Sequence, residues 1–527
     1  MTGIDPTSDE AAALPDEPTG SEFDDDAELT GAIEPTSSTR RPISAKAAAI
    51  VGARVVVGVV GIGTAAAVVL GATFIELPSR ATSPPSALVV PVPTAQQLTC
   101  SGPLLRLSDE SGADASSVFT LGQAITRFSS SSGAVEQSRI TASDAESGEA
   151  VAAPLVLSAA PDAQSPESLV RLSGAQSQYL NLGDYVGFAS AGCRAVGGDS
   201  WLVGGTTTTG RTTLISLTNP TEVASTVALD IFDEQGVVSA AGTSGIVVPA
   251  NGQRVLSLAG FAPGATSPVV HVTSSGGQIT AELQQSIVRG LEPGGVEIVG
   301  PTQAPTRSVV IPGVVVTDLE AVQALRGAVT QTDDLITAVR VYVPGETPAT
   351  ISATLTPADA ERSPIRFSLD LSAGVVTDIP IEELETGAYT LQINSDEPII
   401  AAARTTSAVM AAGGAVTATD FAWFAASPAL DDDTQFTVAA GLKAVLNVVN
   451  AEDAAVDVTL TSSTGVAEEF TIEPNTTLRV PVSNGTTYTV EHGGQVSMSV
   501  TQAADGFISS YVIDPQTPGS SPLTVFP

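Results

Sequence analysis

Histidine does much of the general acid–base and metal-binding chemistry of proteins, and this chain has two histidines. His271 lies within the apolar run Val269–Val272, as a strand residue would, and His492 precedes a Gly-Gly turn. The two are too far apart in sequence for the i, i+4 ligand pair of a zinc-protease helix, and the two cysteines lack zinc-binding spacing. We therefore predict structural roles for both histidines, with no metal site and no cofactor.

Gly198-Asp199-Ser200 resembles the nucleophile loop of a serine protease. Trp201 follows it, however, where glycine is needed to turn backbone N–H groups toward an oxyanion. An Asp and a Trp recur together at Asp420 and Trp423, which favours a structural role for both pairs. Lys443 is the only lysine predicted to lie outside the cytoplasm, so a Ser–Lys dyad has a single candidate. We assign no catalytic residue and predict that the chain is not an enzyme.

Three consecutive carboxylates, Asp431 to Asp433, are the clearest candidate for a cation site, because calcium prefers oxygen ligands. The glycine and the distal glutamate of an EF-hand loop are absent from the sequence around them. We interpret the run as a solvated linker between two β units, with calcium binding as the alternative.

Val55–Ile75 is an apolar segment of about 21 residues without a charge. The part of the chain that could form a folded site follows it. A helix of about 20 residues spans the roughly 30 Å hydrocarbon core of a bilayer. Four basic residues between positions 40 and 54 precede the segment, which predicts a cytoplasmic N-terminus. A cleaved signal peptide is the alternative, but Thr73–Pro78 does not resemble its cleavage site. We predict a single-pass, uncleaved signal-anchor helix within residues 46–77 that holds the protein in the cell membrane.

The sequence on either side of this anchor is not typical of a packed domain. Residues 1–45 combine Pro, Ser and Thr with eleven carboxylates and lack a periodic apolar pattern, which predicts a disordered acidic tail in the cytoplasm. Residues 78–96 are rich in proline, which favours a semi-rigid stalk outside the membrane.

The formal net charge of the 527-residue chain is −36, and about −29 of it lies beyond residue 80. An ectodomain of this charge repels nucleic acid and anionic lipid surfaces, which argues against both as partners. The hydrophobic content of 43% is rich in Val, Ala, Leu and Ile, as a folded β protein requires.

Cys100 and Cys193 are the only cysteines, and both follow the predicted anchor. An extracytoplasmic location is oxidising, which favours a disulfide between them over two buried thiols. The loop of roughly 93 residues that it closes corresponds to about 4 to 5 kcal/mol of stabilisation on the loop-entropy model.

Beyond the stalk, short Val/Ile/Leu/Thr runs alternate with Gly, Pro, Asn and Asp, which is typical of strands separated by turns. The runs recur in the same order about every 110 residues, as Leu214–Pro220, Thr337–Pro344 and Ala444–Ala451 illustrate. We predict an all-β fold of tandem antiparallel Ig-like β-sandwich repeats over residues 201–305, 306–412 and 413–527. A divergent β domain that contains the disulfide precedes them, over residues 97–200.

The repeats suggest their own structural anchors. Asn219 and Pro220 form the turn after the first long strand of one repeat, and Asn450 occupies the corresponding place in the last. Trp201 and Trp423 precede those two repeats, and we interpret them as equivalent core anchors. The alternative is a pair of exposed aromatic platforms for sugar rings.

This succession of Trp, strand, Asn-Pro turn and Ser-Gly-Gly turn resembles an uncharacterised family of actinobacterial single-pass envelope proteins of unknown function, DUF5719-like. It is also similar to extracellular β-sandwich repeats that carry a Trp-Tyr-Phe-Ala-Glu-Gly signature. The resemblance covers about residues 195–515 and implies a location in the cell envelope and a repeat architecture. It implies no activity and no site residue.

We therefore expect a membrane-anchored extracytoplasmic scaffold or protein-binding module that presents a row of β-sandwich repeats, without catalytic chemistry. The alternative is an envelope carbohydrate-binding protein or glycan-acting enzyme whose carboxylates are brought together by the fold. Partners would be an envelope protein or a glycan, and the sequence does not determine the oligomeric state.

Overall fold

The computed structural model describes residues 87–89, 95–107, 118–142, 153–161, 170–329, 332–382, 384–516 and 523–525. The predicted acidic tail, the anchor segment Val55–Ile75 and most of the stalk lie outside the described residues. Among the described residues, no helix is long and apolar enough to span a bilayer. Within the stalk range, Ala87–Val89 forms strand β1, which pairs antiparallel with a C-terminal strand, Leu523–Val525, so this part of the stalk is paired.

The described chain is all-β, as predicted, and its other strands fall into four consecutive units. Unit N contains β2 to β10: Gln96–Cys100, Leu105–Leu107, Val118–Thr120, Ile125–Ser130, Glu136–Arg139, Thr141–Ala142, Leu155–Ala159, Leu172–Leu182 and Tyr185–Gly192. Unit I contains β11 to β19: Asp199–Val203, Arg211–Asn219, Ser225–Asp233, Gly236–Val237, Ile246–Val248, Gly252–Ser257, Val269–Gly276, Thr280–Arg289 and Glu292–Val299. Unit II contains β20 to β26: Thr306–Val316, Ala338–Tyr342, Ala349–Pro357, Ile365–Leu371, Val376–Pro380, Gly387–Met410 and Val416–Ala425. Unit III contains β27 to β34: Thr434–Thr437, Ala444–Asn450, Val456–Ser462, Ala467–Ile472, Thr476–Val482, Thr487–His492, Ser497–Ala504 and Phe507–Val512.

These strands form because apolar and polar residues alternate along them, so that one face of each strand can be buried. In β13, for example, Val227, Leu229 and Ile231 are buried, whereas Thr226 and Asp230 are exposed. Strands β22 and β29 have the same alternation. Each of units I to III accordingly encloses a main apolar core of its own.

The same strand order recurs from unit to unit. In unit III the first, sixth, third and fourth strands form one sheet, and the eighth, seventh, second and fifth form the other. Unit I has the same two sheets if β14 and β15, which both pair with β13, count together as its fourth strand. In unit II the 24-residue strand β25 serves both sheets, pairing through its first half with β20 and β22 and through its second half with β21 and β26. Unit N has the three-stranded equivalents, β2-β8-β6 and β10-β9-β5.

The last strand of each unit lies at the edge of its sheet and packs against the last strands of two other units. We call these four strands, β10, β19, β26 and β34, the hub. Strand β10 packs against β19, β19 against β26, β26 against β34, and β34 against β10. The expected row of repeats is therefore wrong: unit III returns to unit N and the four units form a closed ring.

One α-helix occurs among the described residues, α1 at Leu319–Ala328, inserted between β20 and β21. Two short 3-10 helices lie at Leu258–Gly260 and Asp333–Leu335. The all-β prediction did not include α1. Ala321 and Val322 are buried where the helix packs against β25 and β26. Because the helix is only 10 residues long, its few apolar residues are difficult to distinguish in the sequence from those of the adjoining strands.

Candidate binding site at the hub

One carboxylate connects all four strands of the hub. Oδ2 of Asp420, on β26, accepts hydrogen bonds from the backbone N–H of Phe188 at 2.9 Å and of Ile508 at 3.4 Å. Oδ1 accepts from the N–H of Val296 at 3.2 Å and of Phe421 at 3.0 Å. Burial raises the pKa of Asp420 well above its ordinary range, and these four N–H groups oppose the rise. Because the hub strands are sheet edges, the carboxylate satisfies N–H groups that no neighbouring strand reaches.

Two glycines allow the neighbouring backbones to approach this carboxylate. A Cβ at Gly187 would lie 2.9 Å from Oδ1 of Asp420 and 2.7 Å from the amide nitrogen of Val296. A Cβ at Gly295 would lie 2.5 Å from the same Oδ1 and 2.7 Å from the ring of Phe421. Glycine at both positions therefore permits the close approach of β10 and β19 to β26.

A second polar group extends along the hub next to Asp420. Oε1 of Glu297, on β19, accepts hydrogen bonds from the hydroxyl of Ser509 at 2.8 Å and from the N–H of Ile298 at 2.9 Å. The Ser509 hydroxyl also lies 2.8 Å from the amide nitrogen of Ser190 on β10. Burial raises the pKa of Glu297, and the nearby charge of Asp420 raises it further, while the bond from Ser509 opposes both.

Units I and II are joined by a buried arginine on β21. The guanidinium of Arg340 forms a bidentate ion pair with Asp378, with N–O distances of 2.8 and 2.9 Å. It also donates to the carbonyl oxygens of Gly205, Thr266 and Pro268 in unit I, at 2.9 to 3.1 Å. All five guanidinium donor positions are thus used, and the central carbon Cζ lies 4.7 Å from the ring centroid of Trp423.

A second ion cluster lies beside it. Asp334 accepts from Arg211 at 2.9 Å and from Arg289 at 2.7 Å, and all three side chains are buried. The guanidinium of Arg404 lies 5.5 Å from the ring of Trp423 and donates to the carbonyl oxygen of Asp333. Burial alone would raise the pKa of Asp334, but Arg289, Arg211 and Arg404 outweigh it and hold that pKa below its ordinary value.

The two clusters bring together four buried arginines, Arg211, Arg289, Arg340 and Arg404, around Asp334 and Asp378. Burial lowers the pKa of Arg289, since Asp334 only partly compensates the loss of water. The same holds for Arg404, whose positive charge is opposed by burial and supported by Asp378 and Asp334. In a chain of net charge −36, this is a local concentration of the opposite sign.

A cavity of about 530 Å³ opens where the four hub strands begin, and we call it the hub-start cavity. The hub contributes Val186, Glu292 and Pro293, Val416 to Thr419, and Phe507. Arg289 of the ion cluster lines it, as do Leu325 and Val329 from the region of α1 and Tyr179 from β9. The rings of Tyr179 and Phe507 meet edge to face with centroids 5.1 Å apart.

A second cavity, of about 250 Å³, lies where β10, β19 and β34 end, and we call it the hub-end cavity. Arg194, which directly follows Cys193 in the chain, forms an ion pair there with Asp514 at 3.0 Å. Glu282 is close by and accepts a hydrogen bond from the hydroxyl of Ser101. Burial raises the pKa of Glu282 to about 7, and Ser101 and Arg194 oppose the rise.

The cysteines predicted to pair do so: Cys100 and Cys193 form a disulfide. Cys100 ends β2, the first strand of unit N, and Cys193 directly follows β10, the last. Both side chains are buried in a small apolar cluster with Leu157, Val170 and Leu172. The disulfide therefore joins the two sheets of unit N, which have three strands each.

Both tryptophans are buried, but they lie on different strands of their units. Trp201 is on β11, the first strand of unit I, and stacks on His271 with ring centroids 4.0 Å apart. Trp423 is on β26, the last strand of unit II, and its Nε1 donates to Gln285 of unit I at 2.8 Å. The predicted equivalence of the two is wrong, because β26 pairs with β25 of the preceding unit although it falls in the range 413–527 predicted for the third repeat. The domain boundaries as a whole stay predictions.

Asn219 and Asn450 form the same hydrogen-bonded turn in units I and III. The side-chain nitrogen of Asn219 donates to the carbonyl oxygens of Val223 and Val248, and its oxygen accepts from the N–H of Thr221. Asn450 likewise donates to residues 454 and 472 and accepts from residue 452. Both side chains are fully buried, and Pro220 is buried beside the first.

The remaining candidates from the sequence do not come together. Nε2 of His271 lies 2.8 Å from Asp199, and its other ring nitrogen faces Asp230, so the histidine does not contact Ser200 through a hydrogen bond. His492 is bound to the backbone oxygens of residues 432 and 494. Lys443 is exposed.

Two of the three aspartates of the acidic run contact other side chains. Asp431 accepts from the amide of Gln495, and Asp433 lies 3.7 Å from Arg171 of unit N. Among the described residues, no group of three or more His, Cys, Asp and Glu side chains has a metal-binding arrangement.

Sequence reasoning missed the residues that join the units, namely Arg340, Arg404, Glu297 and the role of Asp420. A signal was present for three of them. Arg340 lies within Val339-Arg-Val-Tyr-Val, Arg404 follows a run of alanines in β25, and Glu297 lies within Val296-Glu-Ile-Val. A charged residue inside an apolar strand run requires a buried partner, although the sequence does not identify that partner.

No curated protein and no solved structure matches this chain. A family model described as a family of unknown function, DUF5719, matches residues 141–483. The match includes Phe188, Val296 and Asp420 of the hub and ends before Ile508. Since it covers well over half of the 527 residues, the chain belongs to the DUF5719 family.

Proposed function

We propose that this protein is a membrane-anchored extracytoplasmic scaffold of the cell envelope that binds a partner protein on the face where the hub strands begin. The observation that carries the proposal is the closed ring of four units around the hub, with one carboxylate bonded to all four hub strands. Such a ring is a rigid platform, since no unit can move without breaking buried hydrogen bonds.

The face that we propose for binding bears the hairpins that lead into the hub strands. Leu182, at the tip between β9 and β10, is 51% exposed, and Leu291, at the tip between β18 and β19, is 89% exposed. Large apolar side chains held out on hairpin tips around a cavity are suited to contact with another protein. The corresponding turn between β25 and β26, Ala411–Ala415, is free of charge, whereas the turns before β10 and β34 contain Asp184 and Asp505.

The finer architecture belongs to the same proposal. The paired sheets of units I and III support Ig-like β-sandwich repeats, with unit N as a reduced fourth repeat. The apolar segment Val55–Ile75 supports a single-pass anchor with the ring outside the membrane and the N-terminal tail in the cytoplasm. The disulfide is compatible with that oxidising location.

The carbohydrate-binding alternative is less well supported. Its expected platforms, Trp201 and Trp423, are both buried and engaged with their own protein, so neither can stack on a sugar ring. Tyr179 is an exposed aromatic residue at the proposed face, and Glu292 lines the same cavity.

Site-specific photocrosslinking in intact cells tests the proposal. A photoreactive residue at Leu182 or Leu291 should give a crosslinked species that protease removes and glycosidase does not. The matched controls are Val237 and Val466, which are exposed apolar residues outside this face. Equal crosslinking from all four positions, or none from Leu182 and Leu291, would contradict the scaffold role, and a glycosidase-sensitive product would support the alternative. Digestion of the ring by an impermeant protease in spheroplasts tests the location separately.

A further inference from the structure

The hub-start cavity combines a buried positive charge with apolar walls. Its volume of about 530 Å³ is within the range of sites that bind small molecules. Tyr179, Phe507, Val416 and Leu325 provide apolar and aromatic surface. Arg289 provides a charged hydrogen-bond donor at one side. Its guanidinium lies 3.5 Å from the hydroxyl of Thr419, which itself donates to the carbonyl oxygen of Pro293 at 2.9 Å.

The Arg289 side chain is buried and is held in position by an ion pair. Its side chain is 6% exposed, and its Nη2 donates to Asp334 at 2.7 Å. Asp334 also neutralises Arg211, so one carboxylate is shared between two guanidinium groups, with Arg404 close by. The carboxylate that lines the cavity, Glu292, is exposed to solvent, where its charge is screened.

We propose that the hub-start cavity binds a ligand that has one anionic group and a flat apolar body. The anionic group accepts hydrogen bonds from the guanidinium of Arg289, which belongs to the cluster of buried arginines. The apolar body lies along Val416, Leu325 and the edge-to-face pair of Tyr179 and Phe507. A neutral ligand of the same shape makes the apolar contacts but lacks the charge interaction with Arg289. This site is independent of the proposed scaffold role, because it depends on the cavity walls and not on the hairpin tips.

The test compares 2-naphthoate with 2-naphthamide, which differ in the charge of one group. Each is titrated calorimetrically into the full-length chain in nanodiscs of zwitterionic lipid, with empty nanodiscs as the blank. We expect naphthoate to bind at least about tenfold more tightly than naphthamide, and added salt to reduce the difference. Equal affinity for the two compounds, or no binding of either, would overturn the proposal.

Variants then locate the binding. Arg289→Gln should remove the preference for naphthoate, whereas Arg307→Gln, at an exposed arginine outside the cavity, should preserve it. Since Arg289→Gln also breaks an ion pair with Asp334, Val416→Trp provides a second route. It fills the cavity, leaves every charge in place and should abolish binding of both compounds while far-UV circular dichroism stays native. Undiminished binding to Val416→Trp would show that the naphthoate binds elsewhere and would refute the assignment.

Discussion

Oδ2 of Asp420 lies 2.9 Å from the amide nitrogen of Phe188, a residue 232 positions earlier in the chain. The bond joins the last strand of unit II to the last strand of unit N, two units that are not consecutive. Together with the bonds to Val296 and Ile508, it closes the ring at its centre. The same carboxylate therefore accepts from backbone donors on all four hub strands.

Asp420→Asn should destabilise the ring by about 2 to 4 kcal/mol. The side-chain amide retains one acceptor oxygen, so its NH₂ group must face two of the four N–H donors and leave them unsatisfied. Urea unfolding at neutral pH measures the change. Asp457→Asn, at an exposed carboxylate that accepts from Thr471, is the matched control and should stay within about 0.5 kcal/mol of wild type. A variant of Asp420 as stable as this control would contradict a central role for the carboxylate.

Arg340→Lys should cost about 3 to 5 kcal/mol, even though the charge is retained. An ammonium has three donors and no planar fork, so it cannot replace both the bidentate pair with Asp378 and the bonds to three carbonyl oxygens of unit I. Calorimetric unfolding measures the change in stability. Arg307→Lys, at an arginine that is 64% exposed and forms an ion pair with Glu397 at 3.3 Å, should change stability by less than about 0.5 kcal/mol. Similar effects of the two substitutions would mean that the buried network does not hold units I and II together.

Asn219→Ala and Asn450→Ala should have similar effects, each about 2 to 4 kcal/mol. Either change removes two donors and one acceptor from a fully buried turn and leaves backbone groups unpaired. Asn181→Ala, at an exposed asparagine of β9, serves as the control for loss of an amide side chain and should be nearly neutral. If one of the two buried positions tolerates alanine, then the turns in units I and III are not energetically equivalent.

Glu282 should make the ring less stable as the pH rises from about 4.5 to 7. Burial raises its pKa to about 7 in the folded protein from 4.5, so between these values the folded state binds more protons than the unfolded state. Stability then falls with increasing pH across that window and levels off above pH 7, by a total on the order of 3 kcal/mol. Glu282→Gln should remove this part of the slope, and Glu468→Gln, at an exposed glutamate, should leave it unchanged. Parallel stability–pH curves for wild type and Glu282→Gln would refute the assignment.

Removal of the disulfide by the double change Cys100→Ala and Cys193→Ala should destabilise unit N by about 4 to 5 kcal/mol. The bridge closes a separation of 93 residues, and its loss returns that conformational freedom to the unfolded chain. Urea unfolding with and without reductant measures the effect. Reductant should lower the stability of wild type toward that of the double variant and should not affect the variant, which has no cysteine left. Wild-type stability in the double variant would show that the sheets of unit N do not depend on the bridge.

Much of the secondary structure was predictable, because it depends on short-range patterns. The alternation of Val227, Leu229 and Ile231 with exposed neighbours requires a half-buried strand wherever the chain places it. The turn at Asn219 was recognisable for the same reason, since asparagine bonds its own neighbouring backbone. The position of Trp423 was predicted less well. Its neighbours identify a buried strand but not which unit that strand completes.

The sequence by itself determined the all-β class, the recurring order of strands, the disulfide and the family to which the chain belongs. These follow from the spacing of apolar residues and turns, and from the presence of only two cysteines. Only the tertiary structure decided that the units close into a ring, that Asp420 lies at its centre and that Arg289 lines a cavity. The physical reason is that a strand pattern specifies which face of a sheet is buried, whereas the identity of the opposing edge depends on contacts between residues more than 100 positions apart.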